Sequence, residues 1–116
     1  MEQKDLDNLK ENGFDVDGAL HRFLDNTKLY ETCLKKFLND KSYEEMQQGF
    51  QTGNIEDTFR AAHTLKGLSS NLGMDPLYHA LQPIVETLRA GSMPEASAMQ
   101  EIVELYQKTY SLVETL

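Results

Sequence analysis

Apolar residues recur at three- and four-residue steps along almost the whole chain, the spacing of amphipathic helices. In "TKLYETCLKKFL", Tyr30, Cys33, Leu34 and Phe37 make one stripe, and "SYEEMQQGF" continues it with Tyr43, Met46 and Phe50. "NDKS" at 39–42 is a plausible break, so the two stretches form one long helix or two. "TGN" at 52–54 reads as a turn, with Gly53 just past a helix end and Asn54 able to cap the next helix. Glu56 and Asp57 suit the positive end of that helix, which runs to about Leu72 and is closed by Gly73. Asp75 is then expected to cap a further helix, with Pro76 at its first position, where the missing N–H is harmless. That helix ends at Gly91, and Pro83 inside it should kink it or remove one hydrogen bond. A last helix follows "SMP" and uses Met99, Ile102, Val103, Tyr106, Tyr110 and Val113. Shorter amphipathic pieces lie around "DLDNLKEN" and "VDGALHRFL". No segment alternates with period two for long enough to be a strand. The pattern predicts an all-α chain forming one domain over residues 1–116. Its body is an antiparallel up-down four-helix bundle over about 27–115, with one or two short N-terminal helices over about 1–25 covering one end.

Composition narrows the partners. The net charge is −8 and the pI about 4.7. Such a surface suits neither nucleic acid, whose phosphates need Lys and Arg, nor an anionic membrane. No apolar run approaches the ~18 residues of a membrane span. The polar start "MEQKDLDNLKENG" is unlike a signal peptide. The single cysteine, Cys33, allows no internal disulfide and is expected to be buried and inert on its apolar stripe. These features point to the cytoplasm. His21, His63 and His79 show no metal-type spacing, no Glu stands three residues before any of them, and no metal or cofactor site is expected.

One stretch, "RAAHTLKGLSSNLG" from Arg60 to Gly73, carries candidate chemistry. At about 100° per residue, Ile55, Thr58, Phe59, Ala62, Leu65 and Ser69 cluster as the core-facing stripe. His63 lies roughly 120° from the centre of that stripe and is expected at the surface. Arg60, Gly67 and Ser70 share its side, and Lys66 sits between that face and the core. Side chains lean toward the helix N-terminus, which brings the Lys66 ammonium back toward the imidazole. An ordinary imidazole, with a pKa of about 6.5, is a competent nucleophile near neutrality. An ammonium one turn away can steady a phosphoryl group on the ring. Gly costs about 1 kcal/mol against Ala in a helix. At position 67 it removes a side chain where a partner or a phosphate would collide. A lone exposed histidine usually has no role, and a close helix–helix approach is the competing explanation for Gly67, although its angle lies far from the core stripe.

"AAHTLKGLSSNLGM" resembles the phosphoacceptor motif of histidine-containing phosphotransfer (HPt) domains: Ala-His, then Lys-Gly after two residues, then a second Gly six positions on. His63, Lys66, Gly67 and Gly73 fall in register, and "NLG" matches a frequent ending. The likeness continues upstream through "GFDVDGALHRFLDNTKLYETCLKKF" and spans roughly residues 13–91. It implies a four-helix bundle with His63 exposed mid-helix, accepting a phosphoryl group from a receiver-domain aspartyl phosphate and passing it to another receiver. Lys66 would balance the phosphoryl charge and Gly67 would leave room for the receiver. No ATP site is implied, and Mg²⁺ would come with the partner receiver. The implied partners are response-regulator receivers and a sensor or hybrid histidine kinase, and the implied state is a monomer.

The chain departs from the family where many members place a Gln or Glu on the neighbouring helix to hold the ring. That position is Val85 here, so Gln82, one turn earlier, and Glu86, one residue later, become the candidates. Arg89 matches a basic position near the phosphoryl group in some members. Leu68 replaces a small residue and is expected to be exposed in a receiver-docking surface. Two other readings stand beside the phosphorelay carrier. One is a non-catalytic helical adaptor for receivers or kinases. The other is the phosphoacceptor domain of a chemotaxis-type kinase.

Overall fold

The computed structural model describes all 116 residues and is helical throughout. Seven helices follow one another: α1 (Gln3–Glu11), α2 (Val16–Arg22), α3 (Thr27–Phe37), α4 (Ser42–Thr52), α5 (Ile55–Asn71), α6 (Asp75–Arg89) and α7 (Ala96–Glu114). The break at "NDKS" is real, and α3 and α4 are separate helices. Both still run antiparallel to α5. At one end Gly49 of α4 packs on Thr58, and at the other the Tyr30 hydroxyl of α3 donates to the Leu72 carbonyl at 2.8 Å. The two short helices therefore act as one interrupted pillar. α5, α6 and α7 are the other three, each packed on the next, and α7 closes the ring against α3. Phe37 and Tyr43 meet Tyr106 at that closure, with the two tyrosine rings stacked 3.7 Å apart. This is the expected antiparallel bundle.

Local chemistry sets the helix ends. Gly53, at φ +72°, ends α4 in the left-handed region that glycine tolerates. The Asn54 side chain accepts from the Asp57 N–H at 2.9 Å and starts α5. The start of α6 departs from the expectation by one position: Asp75 is its first residue and makes no cap bond, while Met74 occupies the cap. Met74 is fully buried, so the α5–α6 turn is anchored by apolar burial rather than by a capping side chain. Pro83 does not end α6, which runs unbroken through it to Arg89.

The N-terminal segment forms two helices and covers the α5–α6 turn. The Asp15 N–H donates to the Gly73 carbonyl at 2.8 Å. The Arg22 guanidinium donates to the Ser70 and Asn71 carbonyls at 2.8 and 3.2 Å, satisfying groups that the end of α5 leaves open. Cys33 is half-buried against the core rather than sealed within it, because it sits at the flank of the α3 stripe.

Candidate functional site

α5 carries the candidate site. Thr58, Ala61, Ala62, Leu65 and Ser69 are buried, and Ile55 and Phe59 are half-buried against the core. Ala61 was not part of the expected stripe, and Leu68, expected at the surface, is half-buried and packed against the core. Both corrections have one cause. α5 lies between α4 on one flank and α6 on the other, so its buried arc is wider than a single stripe. Leu68 is thus partly covered by the core rather than fully exposed, with the rest of its side chain at the surface.

His63 is exposed, as the helical angles require. No side chain hydrogen-bonds to its imidazole. Lys66, one turn on, is half-buried and takes part in none of the ion pairs of the structure. Gly67 is exposed, and a Cβ built there meets nothing within 4 Å. The fold therefore has no packing use for this glycine, and the close-approach explanation within the chain falls away.

The other candidates separate. Arg60 turns from His63 to Asp57, at 2.5 Å, and Glu56, at 4.0 Å. Ser70 is exposed near the C-terminal end of α5, where its carbonyl serves Arg22. Gln82 is exposed, and its amide reaches the Tyr78 hydroxyl at 3.4 Å. Glu86 is ion-paired with Arg89 one turn on. Neither Gln82 nor Glu86 hydrogen-bonds to His63, and Val85 is fully buried in the core. The group that does meet the imidazole is Phe59, with ring centroids 5.7 Å apart and planes tilted by 34°. The Arg89 guanidinium carbon lies 5.6 Å from the centroid of the same phenyl ring. The helical angles place Phe59 on the core stripe. Its position four residues before His63, on the neighbouring turn, was the available signal.

The model of the Hpt domain family matches residues 38–114, from the end of α3 through α7. The chain belongs to the Hpt domain family. It is a histidine phosphotransfer domain, of the class that meets receiver domains and kinases in two-component systems. A curated relative, Chemotaxis protein CheA of Bacillus subtilis (strain 168), is 33% identical over 94 residues, covering 77% of this chain. The chain spans only 13% of the length of that protein. No solved structure matches. No helix of this Hpt domain is long and apolar enough to cross a membrane.

Proposed function

We propose that this Hpt domain is a phosphorelay intermediate in which His63 carries the phosphoryl group. The observation that supports it most directly is the arrangement on α5: an exposed, unbonded imidazole, an ammonium without an ion-pair partner one turn on, and open space over Gly67. The imidazole Nε2 attacks the phosphorus of a receiver aspartyl phosphate in line. A P–N bond forms, the P–O bond to the aspartate breaks, and the aspartate leaves as a carboxylate. Onward transfer is the reverse step with a second receiver. Lys66 offsets the charge of the phosphoryl oxygens, and Arg89, paired with Glu86 in the free domain, offers a second cation from α6. Mg²⁺ and the aspartate belong to the receiver, and the domain supplies no ATP chemistry. It works as a monomer in the cytoplasm, taking phosphate from a sensor or hybrid histidine kinase by way of a receiver. The test is incubation with a phosphorylated receiver. Acid-labile label is expected on the wild type and absent from His63→Gln; equal labelling of both would refute the assignment.

The likeness to Chemotaxis protein CheA favours a second reading, in which the domain is the phosphoacceptor of a chemotaxis-type kinase. That reading requires ATP-dependent labelling of His63 by a kinase domain with no receiver present. Labelling that depends wholly on a phosphorylated receiver would exclude it.

A further inference from the structure

The imidazole of His63 lacks the hydrogen-bonding partner that Val85, buried in the core, cannot provide. An exposed histidine on a helix is otherwise free to exchange between side-chain rotamers. Only the rotamers that aim its nitrogen at an incoming phosphorus are useful, so a ring without a partner loses part of every encounter with a donor. Phe59 is the one aromatic side chain in contact with it. Unlike His63, Phe59 is itself held, being half-buried and packed against the core. It also seats Arg89 at 5.6 Å, and Arg89 is ion-paired to Glu86. A continuous chain of contacts thus runs from Glu86 and Arg89 on α6, through the phenyl ring, to His63 on α5.

We propose that Phe59 is the positioning residue of His63, holding the imidazole by ring contact in place of the missing hydrogen bond and seating Arg89 beside it. The inference rests on His63 being the phosphoacceptor, as read above. Phe59 acts through the imidazole and the guanidinium rather than on the phosphoryl group. It narrows the orientations of the nucleophile and keeps a guanidinium at the edge of the site. Aromatic pairs of this geometry carry enough energy to bias a rotamer equilibrium roughly two- to ten-fold.

Phe59→Leu keeps an apolar side chain on the core and removes the ring, while Phe59→Tyr restores the ring. The first readout is the proton NMR spectrum of the unphosphorylated protein, in which the phenyl ring current displaces the His63 ring protons. The second is the single-turnover rate of transfer from a phosphorylated receiver. Phe59→Leu is expected to lose the displacement and to slow transfer roughly two- to ten-fold, with its thermal unfolding still cooperative. Phe59→Tyr is expected to recover both. A Phe59→Leu protein with wild-type ring shifts and a wild-type rate would overturn this inference alone, since the wild type would still be labelled on His63. A wild type that takes no label from any phosphorylated receiver overturns the phosphoacceptor reading, and the transfer half of this inference with it. The ring shifts are measured without phosphate and report separately on the contact.

Discussion

Replacing Gly67 by alanine should make the protein more stable and a poorer phosphoryl acceptor. Glycine inside a helix costs about 1 kcal/mol relative to alanine, because it loses more chain entropy on folding. The usual reason to retain it is that a methyl group has nowhere to go. At Gly67 a Cβ meets nothing within 4 Å. The propensity gain then has no steric cost against it, and ~0.5–1 kcal/mol should appear as added stability. For a domain of this size that corresponds to a rise of roughly 2–6 °C in melting temperature. Two other glycines serve as opposite controls. A Cβ at Gly49 would lie 2.5 Å from the Thr58 hydroxyl oxygen and 2.9 Å from the Thr58 backbone nitrogen, wedging α4 from α5. Gly49→Ala should therefore cost about 1–3 kcal/mol. At Gly73, φ is +73° and a Cβ would stand 2.5 Å from the Asp15 carbonyl oxygen, so alanine there meets both strain and a clash. Urea unfolding followed by circular dichroism ranks the three variants, and transfer from a phosphorylated receiver is measured on the same samples. Gly67→Ala should transfer more slowly, and Gly67→Leu more slowly still, with both folded. A Gly67→Ala protein that unfolds before the wild type would show that the fold needs this glycine. A Gly67→Leu protein that transfers at the wild-type rate would show that the space is not kept for a partner.

Tyr30→Phe should destabilise the domain by about 1–3 kcal/mol, because it leaves the Leu72 carbonyl without the buried phenol that donates to it at 2.8 Å. The His63 transfer rate of that variant, measured below its melting temperature, should be unchanged. Alkaline pH should unfold the domain through its tyrosines. Burial pushes the Tyr106 phenol up to about 12, and the nearby Tyr110, Asp40, Tyr43 and Glu44 add to the effect. Burial also raises Tyr30 and Tyr43. A phenol ionises near pH 10 in an unfolded chain. The stability tied to the neutral phenols is thus full below about pH 10 and is lost as pH rises toward 12. Tyrosinate absorbance and helical circular dichroism recorded together check this. All five tyrosines titrating near 10 with the helices intact would contradict it.

Much of the bundle was legible in the sequence, because its helices are amphipathic and its turns carry their own chemistry. Gly53 and Asn54 mark the α4–α5 junction through backbone preference and a side-chain cap, both local properties. The N-cap of α6 falls at Met74, one residue before the Asp75 that the local pattern suggests, because Met74 anchors that turn from within the core, and burial by distant residues leaves no mark on the local pattern. Helical angles found the exposure of His63, since one helix's rotation suffices for that. They missed the partial burial of Leu68, which depends on how many neighbours α5 has. The partners on α6 depend on the register and rotation of one helix against another. Packing settles these, and it turns Val85 into the core and leaves Gln82 and Glu86 outside it, without a bond to the ring.

The placement of the motif on α5 separates what holds the helix from what the helix presents. Asn54 caps its start, and Arg22 and Tyr30 bind the carbonyls at its end. Between them Ala62, Leu65 and Ser69 face the core, with the Ser69 hydroxyl donating to the Leu65 carbonyl at 2.8 Å. His63 and Gly67 alternate with these residues but contribute nothing to the core. A helix fixed at both ends and along its inner face is a rigid mount, and sites on rigid elements hold their geometry better than sites on loops. On the outer face, the ammonium, the imidazole and the open space lie where they cost the fold little more than the glycine penalty at position 67. Substitutions on this face should therefore change transfer without unfolding the protein, whereas substitutions on the inner face should do the reverse. Phe59 alone belongs to both faces, packing on the core and touching the imidazole. It is the position at which the bundle's packing can set the orientation of the imidazole.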